Sequence, residues 1–600
     1  MTLSIRLFDF LQLLLLNRYV FFVLLLLGYT RIMELYGGLP SLMQAWRFEI
    51  PLLLYCYFFG NTITRKTPLQ PVIVAAPIVM LYAVYDFYHL QFGRLPRLIE
   101  LAEVPELMAV MPLWLKALLI AMIGTSLLIF FLTVRWGAVL PMALGALPLA
   151  ALFVAVESYP AAFMKAFEKT QKGIVTYSDV MSVANNGRIS MTLYNEARRK
   201  SMREKTAHYL ENPYYLLDVD KVIAKVKEQR SRRNVHLIVL ESFLDPELLL
   251  DAGFSRNPAH PDFEKIFKRK GGLSISPVFG GATAQAEFEL LCGVPAMREL
   301  SGVEFNVFTG ADTPCLPSIL GKGGYHTVAA NGFRPDFFNS TNAYEGIGFD
   351  KAYYPREYAP AMESYLSLGD VGDEKYMFDG DLLGQNLKYV SSWLKEHSAT
   401  PLFNYVMTMY GHTPNVINTE KRPQVVRVYG KGPDDDHLQR SVNQYYYRTR
   451  AIADYVNELV RIDPDSLIIL VSDHLPPLRY GPDTYRNLNY LGKKEGYLNL
   501  NRIFFVENGR GVRYNTIHHY DIPEIILGYV TRTEKERKSL RSFAASNDPD
   551  DLAARRKAYM TIMAQAMNIK KLLPGFRPTP ASREASAQAE TPAVSATEDK

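Results

Sequence analysis

The chain has 600 residues, too many for one ordinary domain. It carries 66 Lys and Arg against 61 Asp and Glu, a net charge of +5, so no nucleic-acid partner is called for. Three cysteines exclude a disulfide framework. Cys56 lies in an apolar run, whereas Cys292 and Cys315 lie in the part that reads as a soluble domain and could pair if that part is extracytoplasmic.

Apolar residues are concentrated in the first 160 positions. The N-terminus places Arg6 before a run from Leu11 to Leu16, with no small-residue cleavage site after it. This reads as a retained membrane segment rather than a cleaved signal peptide. Five spans are expected, around residues 19–35, 50–64, 72–92, 113–134 and 138–158, each near the ~20 residues that cross a bilayer. An N-terminus on the inside puts Arg65, Lys66 and Arg135 in cytoplasmic loops, in accord with the positive-inside rule. An odd number of spans then places everything after residue 158 on the outer face.

Residues 161–233 are polar with a helical pattern and read as a linker near the membrane. Arg198, Arg199, Lys200 and Arg203 form a basic cluster there, either a solvated helix face or a contact for anionic head groups. From residue 234 short apolar runs alternate with helical stretches. Candidate strands are 235–240, 273–278, 326–330, 402–407, 467–472 and 503–506. Continuous apolar strands between helices predict an α/β domain, residues 234–572, with a mostly parallel sheet covered on both faces. Residues 573–600 are rich in Pro, Ala, Ser, Thr and Glu and are expected to be a disordered tail.

In such sheets ligands bind beyond the carboxyl ends of the strands. One strand runs into Glu241 and another into Asp473-His474, both metal-ligand types. The stretch from Gly280 to Glu289 supplies a third component. Two glycines allow a tight turn, and Thr283 then opens a helical run, where it can serve as an N-cap. A hydroxyl at a helix N-terminus can also be a nucleophile if a metal lowers its pKa. Glu241, Thr283, Asp473 and His474 therefore read as one hydroxyl on one divalent cation. The plainer alternative is a helix cap at Glu241 and a polar turn at Asp473-His474.

The motifs together resemble the lipoteichoic acid synthase family of the alkaline phosphatase and sulfatase superfamily. They are Val-Leu-Glu-Ser (239–242), Ala-Thr-Ala-Gln-Ala-Glu-Phe (282–288), Phe-Phe-Asn (337–339), Gly-Phe-Asp (348–350), Thr-Met-Tyr-Gly-His-Thr-Pro (408–414) and Val-Ser-Asp-His (471–474). The resemblance implies a multi-pass protein of the bacterial inner membrane, with its catalytic domain on the periplasmic or outer face. It implies Thr283 as nucleophile and Glu241, Thr283, Asp473 and His474 on manganese or magnesium, with zinc compatible. Phosphatidylglycerol would donate glycerol phosphate to Thr283, and a glycan or glycerol-phosphate acceptor would then take it. His412 would contact the phosphate or the leaving group. The family's head-group His and Arg correspond here to Asn331 and Ser340, and neither brings a fixed positive charge. Arg334 or Arg356 would compensate, and Phe338 completes the expected substrate contacts. Cys315-Leu-Pro-Ser looks like the start of a sulfatase formylglycine motif, but Ile319 stands where an Arg is needed. The rival readings are a phosphoethanolamine transferase and a non-catalytic glycan- or lipid-binding relative. Ala-Glu-Phe at 286–288 favours the phosphoglycerol branch over the first, and the intact Glu, Thr, Asp, His set speaks against the second.

Overall fold

The computed structural model describes residues 17–568 except 93–94, 97, 99–103, 105–107, 109–112, 172–173, 175–178, 207–208, 210–212, 230–232, 301, 432–433 and 547. The expected tail lies outside the described residues. The chain divides into two compact units, Met1–Met202 and Arg203–Lys600.

The first unit is helical. Among the described residues, three of its helices contain stretches long and apolar enough to cross a membrane, namely Gln70–Leu90, Lys116–Thr133 and Val139–Ser158. The other two expected spans are helices as well, but they fall short of that standard. Arg18–Leu35 carries Arg18, Arg31 and Glu34. Glu49–Ile63 has 15 residues, which rise only ~22 Å against a hydrocarbon core of ~30 Å. Phe22, Leu26, Leu53, Tyr57, Val74 and Tyr82 form the unit's apolar centre. A buried polar stitch joins four segments beside it. Arg188 pairs with Asp86 at 2.6 Å, both side chains fully buried. Arg188 also donates to the carbonyls of Leu39 and Pro40 at 3.1 Å. Glu49 accepts from the N–H groups of Ile189 and Ser190, first-turn donors of the helix Arg188–Thr206 that have no acceptor within the helix itself.

The second unit is built on a nine-stranded sheet. Its strands in chain order are β1 (Val235–Leu240), β2 (Ala252–Phe254), β3 (Gly272–Ile275), β4 (His326–Asn331), β5 (Lys351–Tyr353), β6 (Leu402–Met407), β7 (Val428–Gly430), β8 (Leu467–Ser472), β9 (Leu500–Glu507), β10 (Arg510–Val512) and β11 (Ile517–His518). The order across the sheet is β11-β3-β9-β8-β1-β6-β4-β5, with β10 beside β9, while β2 and β7 pair separately. Strands β8, β1, β6, β4 and β5 are parallel, and β9 runs antiparallel between β8 and β3. The expected strand at 503–506 thus reverses direction and is longer. The one expected at 273–278 is shorter.

Strands β1, β6 and β8 are buried along their full length, which is why they read as unbroken apolar runs. Alternate residues serve opposite faces. Ile238, Leu240, Leu402, Val406, Ile468 and Leu470 share one core with Leu382, Leu383 and Val390 of the helix Asp379–Glu396. Ile452, Val456 and Leu459 of the helix Asp436–Ile462 complete it. On the other face Tyr405 reaches Glu287, on a helix whose ten residues, Thr283–Cys292, are all buried. Cys292, at the end of that helix, is disulfide-bonded to Cys315, which precedes the helix Leu316–Lys322.

Register fixes where chemistry can occur. Leu240 pairs with Ser472, Val239 with Met407, and Met407 with Asn331. The carboxyl ends of β8, β1, β6 and β4 are therefore level, and the loops that follow carry Asp473-His474, Glu241, Thr408 to His412, and Gly332 onward.

Candidate active site

Four side chains meet at this edge. Thr283 Oγ1 donates to Glu241 Oε2 at 2.9 Å and lies 3.4 Å from His474 Nε2. His474 Nε2 stands 3.3 Å from Asp473 Oδ2 and 3.9 Å from Glu241 Oε1. All four residues are buried, with 4% or less of each exposed. Glu241, Asp473 and His474 each offer a ligand atom within 4.8 Å of the others.

Local geometry sets each group. Gly280, Gly281 and Ala282 all have positive φ, at 72°, 150° and 62°. The turn that delivers Thr283 is thus left-handed even at an alanine, a strained conformation of the sort that gathers at functional sites. Ala282, not Thr283, is the N-cap, so the expected capping role falls away and the hydroxyl is free to face Glu241. His474 Nδ1 lies 3.0 Å from the carbonyl of Leu475 and donates to it, which leaves the Nε2 lone pair facing Thr283, Glu241 and Asp473. Asp473 Oδ1 accepts from the N–H groups of Ser242 and His474 at 2.7 and 2.6 Å. Ser242 Oγ donates to Glu241 Oε1 at 2.7 Å.

The donor set fits a divalent cation. Asp473 Oδ2 is buried with no hydrogen-bond partner. Burial and the adjoining Glu241 charge push Asp473 well above the ordinary carboxylate range. Burial also lowers His474 below its ordinary value, which keeps the imidazole neutral and able to ligate. Two carboxylates, one imidazole and one hydroxyl are ligands that manganese, magnesium or zinc accept. Such an ion would relieve the repulsion between the carboxylates and acidify the Thr283 hydroxyl.

A buried scaffold that the sequence did not flag supports the pocket. Arg448 Nε donates to Asp379 Oδ2 at 2.6 Å, and Arg448 reaches Thr408 Oγ1 at 3.4 Å. Thr408 Oγ1 accepts from the N–H of Glu241 at 3.1 Å. Gly411 lies so close that an added Cβ would fall 2.1 Å from the Glu241 carbonyl and 2.4 Å from Arg448.

His412 follows, half-buried, with Nδ1 on the Thr413 carbonyl at 3.0 Å and its ring 5.1 Å from that of Tyr376. Gly411, the residue before it, packs against the Glu241 carbonyl, so the loop that carries His412 borders the site. The other expected substrate contacts gather at residues 331–340. Asn331 is buried, with Nδ2 donating to Tyr344 and Oδ1 accepting from the Phe333 N–H. Ser340 is buried against the Pro335 carbonyl and the Tyr354 hydroxyl. Arg334 is 34% exposed, over the Phe333 ring. Phe338 sits at φ 49°, an outlier for a bulky residue. Arg356 is exposed beside Glu357.

Residues 233–521 match the family model described as Sulfatase. A Rhizobium meliloti protein named for cyclic beta-1,2-glucan modification is 27% identical over 255 residues, 42% of this chain and 36% of that protein. A Haemophilus influenzae protein of undescribed function is 30% identical over 203 residues, 32% of this chain and 34% of its own. The aligned stretch thus spans about a third of each curated relative. Among solved structures, the phosphoglycerol transferase of Streptococcus pyogenes in complex with sn-glycerol-1-phosphate is 17% identical, with a TM-score of 0.44 over 61% of this chain and 93% of that one. Residues 233–521, the part of the chain that holds Thr283 and all the ligand candidates, are thus similar to the sulfatase family.

Proposed function

We propose that the chain is a membrane-bound phosphotransferase that moves glycerol phosphate from phosphatidylglycerol to an extracytoplasmic glycan or glycerol-phosphate acceptor through a phospho-threonine. The observation that carries this reading is the Thr283 hydroxyl, buried, bonded to Glu241 and facing His474. In the first step Thr283 Oγ1 attacks phosphorus and the bond to the diacylglycerol oxygen breaks. The hydroxyl proton leaves along the bond to Glu241 Oε2. His412 supplies the proton that the departing diacylglycerol oxygen needs. In the second step an acceptor hydroxyl attacks the phospho-threonine and gives its proton to His412, the bond from phosphorus to Thr283 Oγ1 breaks, and Glu241 returns its proton to that oxygen. Glu241, Thr283, Asp473 and His474 would hold a divalent cation, which would supply the charge neutralisation that such displacements need most.

Five spans with the N-terminus inside would put the transferase unit on the outer face of the bacterial inner membrane, where both lipid and glycan are at hand. The Cys292–Cys315 disulfide supports an oxidising compartment. The relative named for glucan modification supports a glycan acceptor. The test uses purified full-length protein, manganese and phosphatidylglycerol vesicles. Diacylglycerol release and a glycerol-phosphate mass on the Thr283 peptide are expected. Release from phosphatidylethanolamine instead would move the protein to the phosphoethanolamine branch.

A further inference from the structure

We propose that Glu287 and Tyr344 are positioning residues: they fix how Asn331 presents its amide to the donor's head group and so set head-group selectivity. The proposal rests on the phosphoglycerol reading above and adds two residues to it.

Glu287 lies four residues after Thr283, one turn further along the same buried helix. It is 5% exposed. One of its oxygens, Oε2, accepts from two phenols, Tyr344 at 2.5 Å and Tyr405 at 2.7 Å. Such bonds to a carboxylate are the strong kind. Tyr405 belongs to β6, whose next residues lead into the His412 loop, so this carboxylate ties the nucleophile's helix to the sheet. The Tyr344 hydroxyl, donating to Glu287, in turn accepts from Asn331 Nδ2 at 3.0 Å. Asn331 Oδ1 accepts from the Phe333 N–H at 2.9 Å. The amide therefore has one orientation. Its oxygen is engaged and one N–H is engaged, which leaves one N–H to present at the end of β4.

This arrangement discriminates by hydrogen-bond type. A glycerol head group has hydroxyl oxygens that accept from that N–H. An ethanolamine head group ends in an ammonium, which only donates. A site whose buried polar group stays unpaired rejects the mismatched ligand strongly. Ser340, the other expected head-group position, is likewise tied to a phenol, Tyr354, whose ring stacks on Tyr344 at 6.4 Å. Neither position offers a charge, so selectivity here is a matter of donors and acceptors.

The experiment uses full-length, manganese-loaded protein in detergent. Titration calorimetry measures binding of sn-glycerol 1-phosphate and of phosphoethanolamine, and diacylglycerol release from phosphatidylglycerol gives kcat and KM. The wild type should prefer glycerol phosphate by about tenfold or more. Tyr344→Phe, which removes the hydroxyl between Glu287 and Asn331, should erase most of that preference. It should raise KM about tenfold, with kcat changed less than about threefold and metal content intact. Asn331→Ala, which leaves the bonds from Tyr344 and Tyr405 to Glu287 in place, should lose the same preference and serves if the Tyr344 variant does not fold. A preference retained in either folded variant overturns the proposal, and so does a fall in kcat alone. A wild type that binds both ligands alike, or neither, overturns it too. A wild type that prefers glycerol phosphate but releases no diacylglycerol overturns the transferase reading instead, and the binding comparison still decides this one.

Discussion

Thr283 Oγ1 donates to Glu241 Oε2 at 2.9 Å, across 42 positions of sequence. Two independent pieces of backbone create this bond. Strand β1 ends at Leu240 and releases Glu241 at the sheet edge, and the left-handed turn at Gly280, Gly281 and Ala282 aims the first residue of a buried helix at it. A hydroxyl hydrogen-bonded to a buried carboxylate has both the orientation and the proton acceptor that a nucleophile requires.

Replacing that hydroxyl is the most direct test. Thr283→Ala should lower turnover by several orders of magnitude. Because Ala282 is the N-cap, no cap is lost, and stability should change by no more than about 1 kcal/mol. Bound metal should persist on Glu241, Asp473 and His474. Wild-type protein given phosphatidylglycerol and no acceptor should accumulate a glycerol-phosphate mass on the Thr283 peptide. Near-normal turnover in the Ala variant would make a water the nucleophile and the enzyme a phosphodiesterase.

The ligand set is tested at Asp473. Asp473 Oδ1 is spent on two backbone N–H groups, while Oδ2 has no partner and is the oxygen available to a cation. Asp473→Ala should abolish both metal content, measured by elemental analysis, and activity. The sheet should still form, since β8 is held by β1 and β9. Full metal content in that variant would place the metal elsewhere.

The candidate ligands were legible because parallel strands buried on both faces leave a plain signature: an apolar run, then a polar residue at its carboxyl end. Val235 to Glu241 and Leu467 to His474 both read that way. Glu287 and Arg448 were not legible as supports. Their partners Tyr344, Tyr405, Asp379 and Thr408 lie between 40 and 118 positions away, and nothing local marks the pairing. The direction of β9 was also hidden, since an antiparallel strand covered on both faces has the same apolar run as a parallel one. Thr283 misled in the other direction. Threonine before a helical run signals a cap, but the cap is set by backbone φ at Ala282, which sequence does not show.

A pH dependence follows from Glu304, well away from the ligands in sequence. Its Oε1 accepts from the Arg298 N–H at 2.7 Å and from Tyr559 at 3.1 Å. Burial pushes its carboxyl from the ordinary 4.5 up to about 7. Between those values the folded chain holds a proton that the unfolded chain has released, so this group's stabilisation is fully present below 4.5 and is lost as pH rises through 7. A shift of that size corresponds to roughly 3 kcal/mol. Full-length wild type should therefore lose about that much stability relative to Glu304→Gln between pH 4 and pH 8, read from denaturant midpoints. A difference that stays constant with pH would mean that Glu304 titrates normally.

The last prediction concerns which side of the membrane holds the second unit. Three stretches, Gln70–Leu90, Lys116–Thr133 and Val139–Ser158, meet the length and hydropathy needed to cross. Counting Arg18–Leu35 and Glu49–Ile63 as well gives five, and both counts are odd. With the N-terminus inside, five spans put Arg65, Lys66 and Arg135 in the cytoplasm and residues after Ser158 outside. Three spans beginning at Gln70 give the same result if Arg65 and Lys66 stay inside. A periplasm-dependent phosphatase fused after Arg233 should thus be active, and a cytoplasm-dependent reporter at the same point silent. Fusions after Leu35 and after Lys66 separate the two counts: five spans predict activity at the first and silence at the second, three predict silence at both. Cytoplasmic activity after Arg233 would overturn either count. It would also remove the oxidising compartment that Cys292–Cys315 calls for and deny the enzyme an extracytoplasmic glycan acceptor.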